Sequence, residues 1–261
     1  MNRPQITDVD LAAALLPPPV VLDPGPTYDP SRRRFQGIPG IEWTPPGRLW
    51  AAWYSGGDDE GPENHVVLAL SEDGGSSWRD PLLVVDPPGR VRAFDPAVWR
   101  DPLGRLWLFW AQAACWWDGR AGVWAIRCDD PAADPPAWSA PRRICHGIML
   151  NKPTVLRSGA WLLPAAVWHG PPLHDDCEGI RLANVVASAD RGLTWERIGG
   201  AEPPDRTFDE HWLIERRDGT LWMLARTQDG AAESVSHDGG RTWTPPRRGG
   251  IACPNSRFCV R

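Results

Sequence analysis

Ser71-Glu72-Asp73-Gly74-Gly75-Ser76-Ser77-Trp78 decides the fold, because its skeleton, Ser-x-Asp-x-Gly-x-x-Trp, returns twice more in the chain. The second copy places Ser188, Asp190, Gly192 and Trp195 at the same spacing, and the third Ser236, Asp238, Gly240 and Trp243. Asp and Ser side chains bond backbone amides within a turn, and Gly supplies a positive φ there. The Trp then anchors the hairpin against a sheet. Asp73, Asp190 and Asp238 therefore read as turn builders and not as catalysts. What they announce is a repeat.

The repeat is longer than the turn. Its opening reads Ile38-Pro39-Gly40-Ile41, then Asp95-Pro96-Ala97-Val98, then Lys152-Pro153-Thr154-Val155, with Glu210-His211-Trp212-Leu213 as a version without Pro. A Gly turn and an apolar strand follow each opening, as in Gly47-Arg48-Leu49-Trp50 and Gly104-Arg105-Leu106-Trp107. Short apolar runs bounded by Gly, Pro and Asp are strand-and-turn chemistry. Each unit reads strand, Gly turn, strand, variable loop, strand, Ser/Asp turn, strand. A four-stranded unit repeated in this way is a β-propeller blade.

The expected fold class is thus all-β, a β-propeller of four-stranded antiparallel blades. Units open near residues 35, 92, 150 and 208, and the second keeps only a degenerate box from Cys128-Asp129-Asp130 to Trp138. Four blades are complete, and a fifth starts at Pro254-Asn255-Ser256-Arg257-Phe258. The chain is expected to be an incomplete copy of a longer propeller. Residues 1–34 read as an N-terminal extension in which Val20-Val21-Leu22 is a candidate strand closing a last blade. Residues 35–261 read as the propeller domain, broken off in blade five.

Composition narrows the function classes. A net charge of −5 gives no basic footprint for nucleic acid. No stretch is apolar for long enough to span a membrane. The run Leu11 to Leu16 ends at Pro17-Pro18-Pro19 and follows Asp8 and Asp10, a poor signal peptide. With six Cys and no Cys-x-x-Cys pair, neither a zinc knuckle nor a redox motif is indicated. Cytoplasmic localisation with free thiols is the expectation, with secretion left open. Neither a metal nor a cofactor is expected; His174, Asp175, Asp176 and Glu178 read as a solvated loop. Lys152 is the only lysine among 28 basic side chains, and an ammonium is not interchangeable with a guanidinium.

In a propeller, the start of each innermost strand and the end of the next one face the same side. That rule gathers Gln36 and Gly37, Arg92 and Asp95, Asn151 and Lys152, Asp209 to His211, and Asn255 to Arg257. The ends of second strands add Tyr54, Gln112, His169 and Arg226, with Asp58, Asp59 and Glu60 on the loop beyond. So much charge is costly unless it pairs or binds something.

The three boxes and the whole-chain repeat resemble the Asp-box, or BNR-repeat, propellers of the sialidase superfamily, which usually have six blades. The resemblance implies a glycan-processing protein acting on a carbohydrate that bears a carboxylate, sialic acid or a uronate. In its complete form it implies an exo-sialidase-like glycosidase, and a chain without the last blade is expected to lack activity. In such enzymes three arginines clamp the carboxylate. The first belongs to an Arg-Ile-Pro motif, and here the text is Gly37-Ile38-Pro39. Arg226 matches the second, with Glu210 at its blade opening, and Arg257 matches the third. The acid/base Asp falls where Asp58 or Asp59 stands. The Tyr nucleophile belongs to blade six, beyond Arg261. Arg92, Asp95, Lys152 and Asn255 complete the expected substrate contacts.

Two alternatives stand beside this reading. In a His-based polysaccharide lyase or unusual glycosidase, His211 or His169 would move a proton while Lys152, Arg92 and Arg226 hold the carboxylate. His146 is a third imidazole expected near the same face. The other alternative is a non-catalytic carbohydrate- or protein-binding propeller, since fold does not fix function.

Overall fold

A computed structural model describes residues 5–206, 208–228 and 230–260. The first sheet holds β1 (Val20–Leu22), β2 (Gln36–Thr44), β3 (Arg48–Ser55), β4 (His65–Ser71) and β5 (Arg79–Val85) in the order β1-β5-β4-β3-β2. The second is a four-stranded meander of β6 (Val91–Arg100), β7 (Leu106–Ala114), β8 (Gly122–Cys128) and β9 (Arg142–His146). The third runs through β10 (Thr154–Val155), β11 (Trp161–Ala166), β12 (Ala183–Ser188) and β13 (Glu196–Ala201). The fourth is β14 (His211–Glu215), β15 (Leu221–Thr227), β16 (Gly230–Ser236) and β17 (Arg247–Arg248). All pairings with a determined register are antiparallel, as four successive blades require. The chain forms two compact units, one up to Ile144 and one from Cys145 onward.

Each blade is built by the local rules of its sequence. The inner hairpin turns at Gly104 and Gly219, whose φ values of +85° and +89° exclude most side chains. The middle strands are buried on both faces and read as continuous apolar runs; β7 has no residue open to solvent. Trp50, Trp107, Trp110 and Trp161 are fully buried. Trp50 donates its indole N–H to Thr44 Oγ1 and Trp107 to Asp101 Oδ2, both at 2.8 Å.

The Asp boxes behave as turn builders. Ser71 Oγ donates to Asp73 Oδ1 at 2.9 Å and accepts from Gly75 N at 2.8 Å, while Ser77 N and Oγ donate to the two Asp73 oxygens. Asp190 and Asp238 repeat this with Thr194 and Thr242. Bonds from these hydroxyls and amides hold Asp73 and Asp190 down at about 2. In the second blade, which lacks a box, Arg48 takes over and donates to the Pro131 and Ala133 carbonyls. Trp138 keeps its place there, edge-on to Trp50.

One expectation for the N-terminal extension changes. β1 pairs with β5 of the first blade, so Val20–Leu22 widens that sheet and closes no later one. The apolar run after Asp8 is partly a helix, α1 (Asp8–Ala13), opened by a reciprocal Thr7–Asp10 capping box. Ala14 packs on Val91 and Ala114 of the second blade. Among the described residues no helix is long and apolar enough to cross a membrane.

Candidate functional site

In the N-terminal unit the chemistry gathers at the openings of the first two blades. Both openings contain the same irregularity, a bulge between Gly37 and Gly40 in β2 and between Phe94 and Ala97 in β6. At each bulge the residue before Pro has a positive φ, +48° at Ile38 and +49° at Asp95. A side chain with a Cβ is strained there, and such strain concentrates at functional sites. Asp95 is buried beside Arg92, whose guanidinium carbon lies 3.7 Å from the centre of the Phe94 ring.

Glu60 completes this group. Its Oε2 lies 3.8 Å from Arg92 Nη2, and its Oε1 accepts a 2.9 Å bond from the Tyr54 hydroxyl. Tyr54, the last residue but one of β3, is buried. Desolvation, and then the negative charges of Asp95 and Glu60, push its phenol far above its ordinary value. It is a hydrogen-bond donor here. Gly37 faces the same ring: a Cβ on it would come within 3.0 Å of Tyr54 Cζ. Tyr54 thus fills the space that a side chain at position 37 would need.

Asp58 and Asp59, the expected acid/base residues, are not the carboxylates that enter this group. Asp58 pairs with Arg34 at 2.8 Å with both side chains three-quarters exposed. Asp59 accepts from the amide of Glu60. Asn64 sets the loop by donating to the Gly56 and Asp59 carbonyls and accepting from Gly61 N, and this geometry brings Glu60 round to Tyr54. Gln112 was also expected at the site; it donates instead to the Ala14 and Leu16 carbonyls and holds the N-terminal segment.

In the C-terminal unit the centre is Glu210, beside β14. Arg226, at the end of β15, donates to Glu210 Oε1 at 2.8 Å. Its Nε and Nη2 donate to the side-chain and backbone oxygens of Asn255. The Arg226 guanidinium carbon also lies 5.6 Å from the Phe208 ring centre. Burial raises the Glu210 carboxyl above its ordinary range, opposed by Arg226 and Arg257 and reinforced by Asp209. Its second oxygen, Oε2, has no hydrogen-bond partner among the described residues. Arg257 is anchored on the Leu150 carbonyl. The structure therefore brings Arg226, Glu210, Asn255 and Arg257 together.

The other expected residues of this unit divide. Asn151 is buried and donates to the His211 carbonyl at 2.8 Å, and Lys152 follows it half-buried. His211 is wholly enclosed, with Nε2 2.9 Å from Asn184 O and Nδ1 3.4 Å from Asp209 O. Desolvation lowers its pKa, so it stands as a neutral strut of the blade and not as an open proton carrier. His169 pairs with Glu202 at 3.3 Å, more than half exposed, and lines a cavity of about 580 Å³ with His174, Cys177, Arg181 and Glu202. His146 does not line that cavity and lies against Asp176. The three imidazoles do not form one group.

Sequence reasoning missed Arg206. It pairs with Asp209 at 2.6 Å, both side chains buried, and donates to the Val167 and Arg181 carbonyls. It fixes the segment from which Glu210 projects. No spacing marks its role, because two of its partners, the Val167 and Arg181 carbonyls, are distant in the sequence.

The BNR repeat-like domain family model matches residues 47–260. No curated protein matches the chain in sequence. Among solved structures, the chain is similar to a protein of unknown function from Dyadobacter fermentans, at 17% identity and TM-score 0.65, over 86% of this chain and 71% of that one. It is similar to the Hadza microbial sialidase Hz136 at 20% identity and TM-score 0.61, over 82% and 47%. It is similar to the NanB sialidase of Streptococcus pneumoniae, as its K499G mutant, at 12% identity and TM-score 0.65, over 96% and 57%. At such identities the likeness establishes the fold, the sialidase-type β-propeller. The chain spans about half the length of these two sialidases.

Proposed function

The chain belongs to the BNR repeat-like domain family, and on that premise we propose that it serves a glycan-processing protein acting on carbohydrates that bear a carboxylate. The observation that carries this is the Glu210–Arg226–Asn255 group with Arg257 beside it. Arg226 is held rigid by Glu210 and Asn255, each through hydrogen bonds of 2.8–3.0 Å. A guanidinium fixed in this way is pre-organised for a planar anion. Asn255 is exposed and can be displaced by a substrate oxygen.

Glu210 suits proton transfer. Burial raises the Glu210 carboxyl above its ordinary range, the direction that favours a proton-transfer role. The activity that fits best is glycoside hydrolysis, in which a raised carboxyl assists departure of the leaving group. The N-terminal unit, taken by itself, also holds an arginine–carboxylate pair, Arg92 with Glu60, with Tyr54 bonded to Glu60. A lyase reading rests on a narrower footing. His211 is enclosed, which leaves His169, oriented by Glu202 on its cavity, as the imidazole with access to a substrate.

The test is a paired screen of the folded chain on fluorogenic sialosides and on uronate-bearing oligosaccharides, with release of unsaturated uronate followed by absorbance. Hydrolysis that falls at least tenfold in Arg226→Ala supports the reading. Binding or turnover that Arg226→Ala leaves unchanged refutes it. Unsaturated product lost in His169→Gln would assign elimination in place of hydrolysis.

A further inference from the structure

We propose that His146, Asp176 and Cys177 form a transition-metal site, selective for zinc, which is independent of the acidic-glycan reading. His146 ends β9, and the other two lie in the 3-10 turn Asp175–Cys177. The strands β10 and β11 separate them along the sequence, so no Cys-x-x-Cys or His-x-x-His spacing announces them. In space, one ligand atom from each lies within 4.8 Å of the others.

The geometry fits the ion. Zinc bonds of about 2.0–2.3 Å place the corners of its tetrahedron roughly 3.3–3.8 Å apart. His146 Nε2 and Asp176 Oδ2, at 3.6 Å, already form such an edge. The other two pairs lie within 4.8 Å and need to close by at most about an ångström, Asp176–Cys177 through rotation of the Asp176 side chain, which is nearly half exposed, and His146–Cys177 through a small turn of the partly exposed imidazole. A zinc ion joining the three would tie the turn to the end of β9.

The donor set fits as well. A thiolate, an imidazole and a carboxylate suit zinc, and the sulfur disfavours magnesium and calcium, which take oxygen. Cys177 is fully buried and joined in no disulfide. Metal coordination gives a function to a thiol that packing alone would not require to be cysteine. Three protein ligands leave a fourth position for water, the pattern of zinc sites that keep an exchangeable place. Cys177 also lines the cavity that holds His169 and Glu202. That cavity gives water and small anions a route to the ion.

The experiment uses the full chain, stripped with a chelator and titrated with Co²⁺, read by thiolate-to-cobalt charge-transfer absorption and by the visible bands of a tetrahedral ion. One equivalent of Co²⁺ should saturate both signals, and Zn²⁺ should displace it. Cys177→Ser should abolish the charge-transfer band, and Asp176→Asn should weaken cobalt binding at least tenfold. Asp176 is partly exposed, so that variant keeps the fold and carries the test if Cys177→Ser does not. Two results overturn the proposal: no charge-transfer band from the wild-type chain, or cobalt affinity unchanged in folded Asp176→Asn.

Discussion

Replacing Arg226 by Met keeps the length and the apolar stem while deleting the guanidinium that faces Glu210. Both side chains are largely buried, at 14% and 6% exposure, so solvent cannot take over the lost partner. Breaking a buried pair in this way leaves an uncompensated charge, which costs about 3–5 kcal/mol if the charge persists. Glu210 has a cheaper course and takes up a proton. From its ordinary value of 4.5, that costs roughly 3.4 kcal/mol at pH 7 and about 0.7 kcal/mol at pH 5. The bonds from Arg226 to Asn255 add a pH-independent loss of about 1 kcal/mol.

The sign follows from proton linkage. In Arg226→Met the folded state binds a proton that the unfolded state releases above about 4.5, so stability falls as pH rises. Urea unfolding at pH 5 and pH 7 should therefore show a deficit that is larger at pH 7, up to about 4 kcal/mol because burial already raises the wild-type carboxyl, and that falls below about 2 kcal/mol at pH 5. Adding Glu210→Gln to Arg226→Met should recover most of the pH 7 loss and remove its pH dependence. An equal deficit at both pH values, or a double variant as unstable as the sum of the singles, would refute the pairing.

Gly37→Ala should cost about 1–3 kcal/mol, since the new methyl presses on the Tyr54 ring at 3.0–3.1 Å; thermal melting checks it, and an unchanged midpoint would show that the ring can yield freely. The Asp boxes should give the chain an acid limb: Asp73 and Asp190 are held near 2, so the stability they add is intact above their ordinary 3.8 and is lost as pH falls towards 2. Asp73→Asn should flatten that limb in acid titrations followed by circular dichroism. His211 is buried neutral, so its contribution is intact above 6.5 and is lost as pH falls below it; a Glu210→Gln chain should therefore weaken between pH 6.5 and 5, and His211→Gln should remove that slope.

The blades were legible because their determinants are local. Ser71, Asp73, Gly75 and Ser77 close their network within seven residues, and the same text predicts the same turn wherever it recurs. Arg226, Glu210 and Asn255 were legible through the repeat, which fixes where a strand begins and the next one ends. Where several residues compete for one position, the repeat is silent. Asp58, Asp59 and Glu60 are chemically alike and adjacent, and the choice among them is made by the Asn64 side chain on the opposite limb of the loop. Gln112 reads as a rim residue until α1 is in place with two carbonyls for it to bind. Long-range pairing of this kind leaves no spacing to read.

The two ends of each blade differ in how completely their polar groups are matched, and this bears on function. At the Asp-box end of the first blade, both oxygens of Asp73 and the hydroxyl of Ser71 are bonded, leaving little for a ligand. At the opposite end, the backbone is strained at Ile38 and Asp95. Also at blade openings, Glu210 Oε2 and Asn151 Oδ1 are buried with no hydrogen-bond partner among the described residues. An unmet buried acceptor costs about 1–3 kcal/mol, and a strained residue a similar amount. Such costs recur where a ligand, and not the fold, supplies the missing partner. A donor-rich ligand is what these acceptors would select, and under the proposed function sugar hydroxyls would meet Glu210 and Asn151. If so, Asn151→Leu, which removes the amide's unspent acceptor along with its bond to the His211 carbonyl, should weaken glycan binding more than it weakens the fold. A chain destabilised without any change in binding would place Asn151 in the scaffold alone.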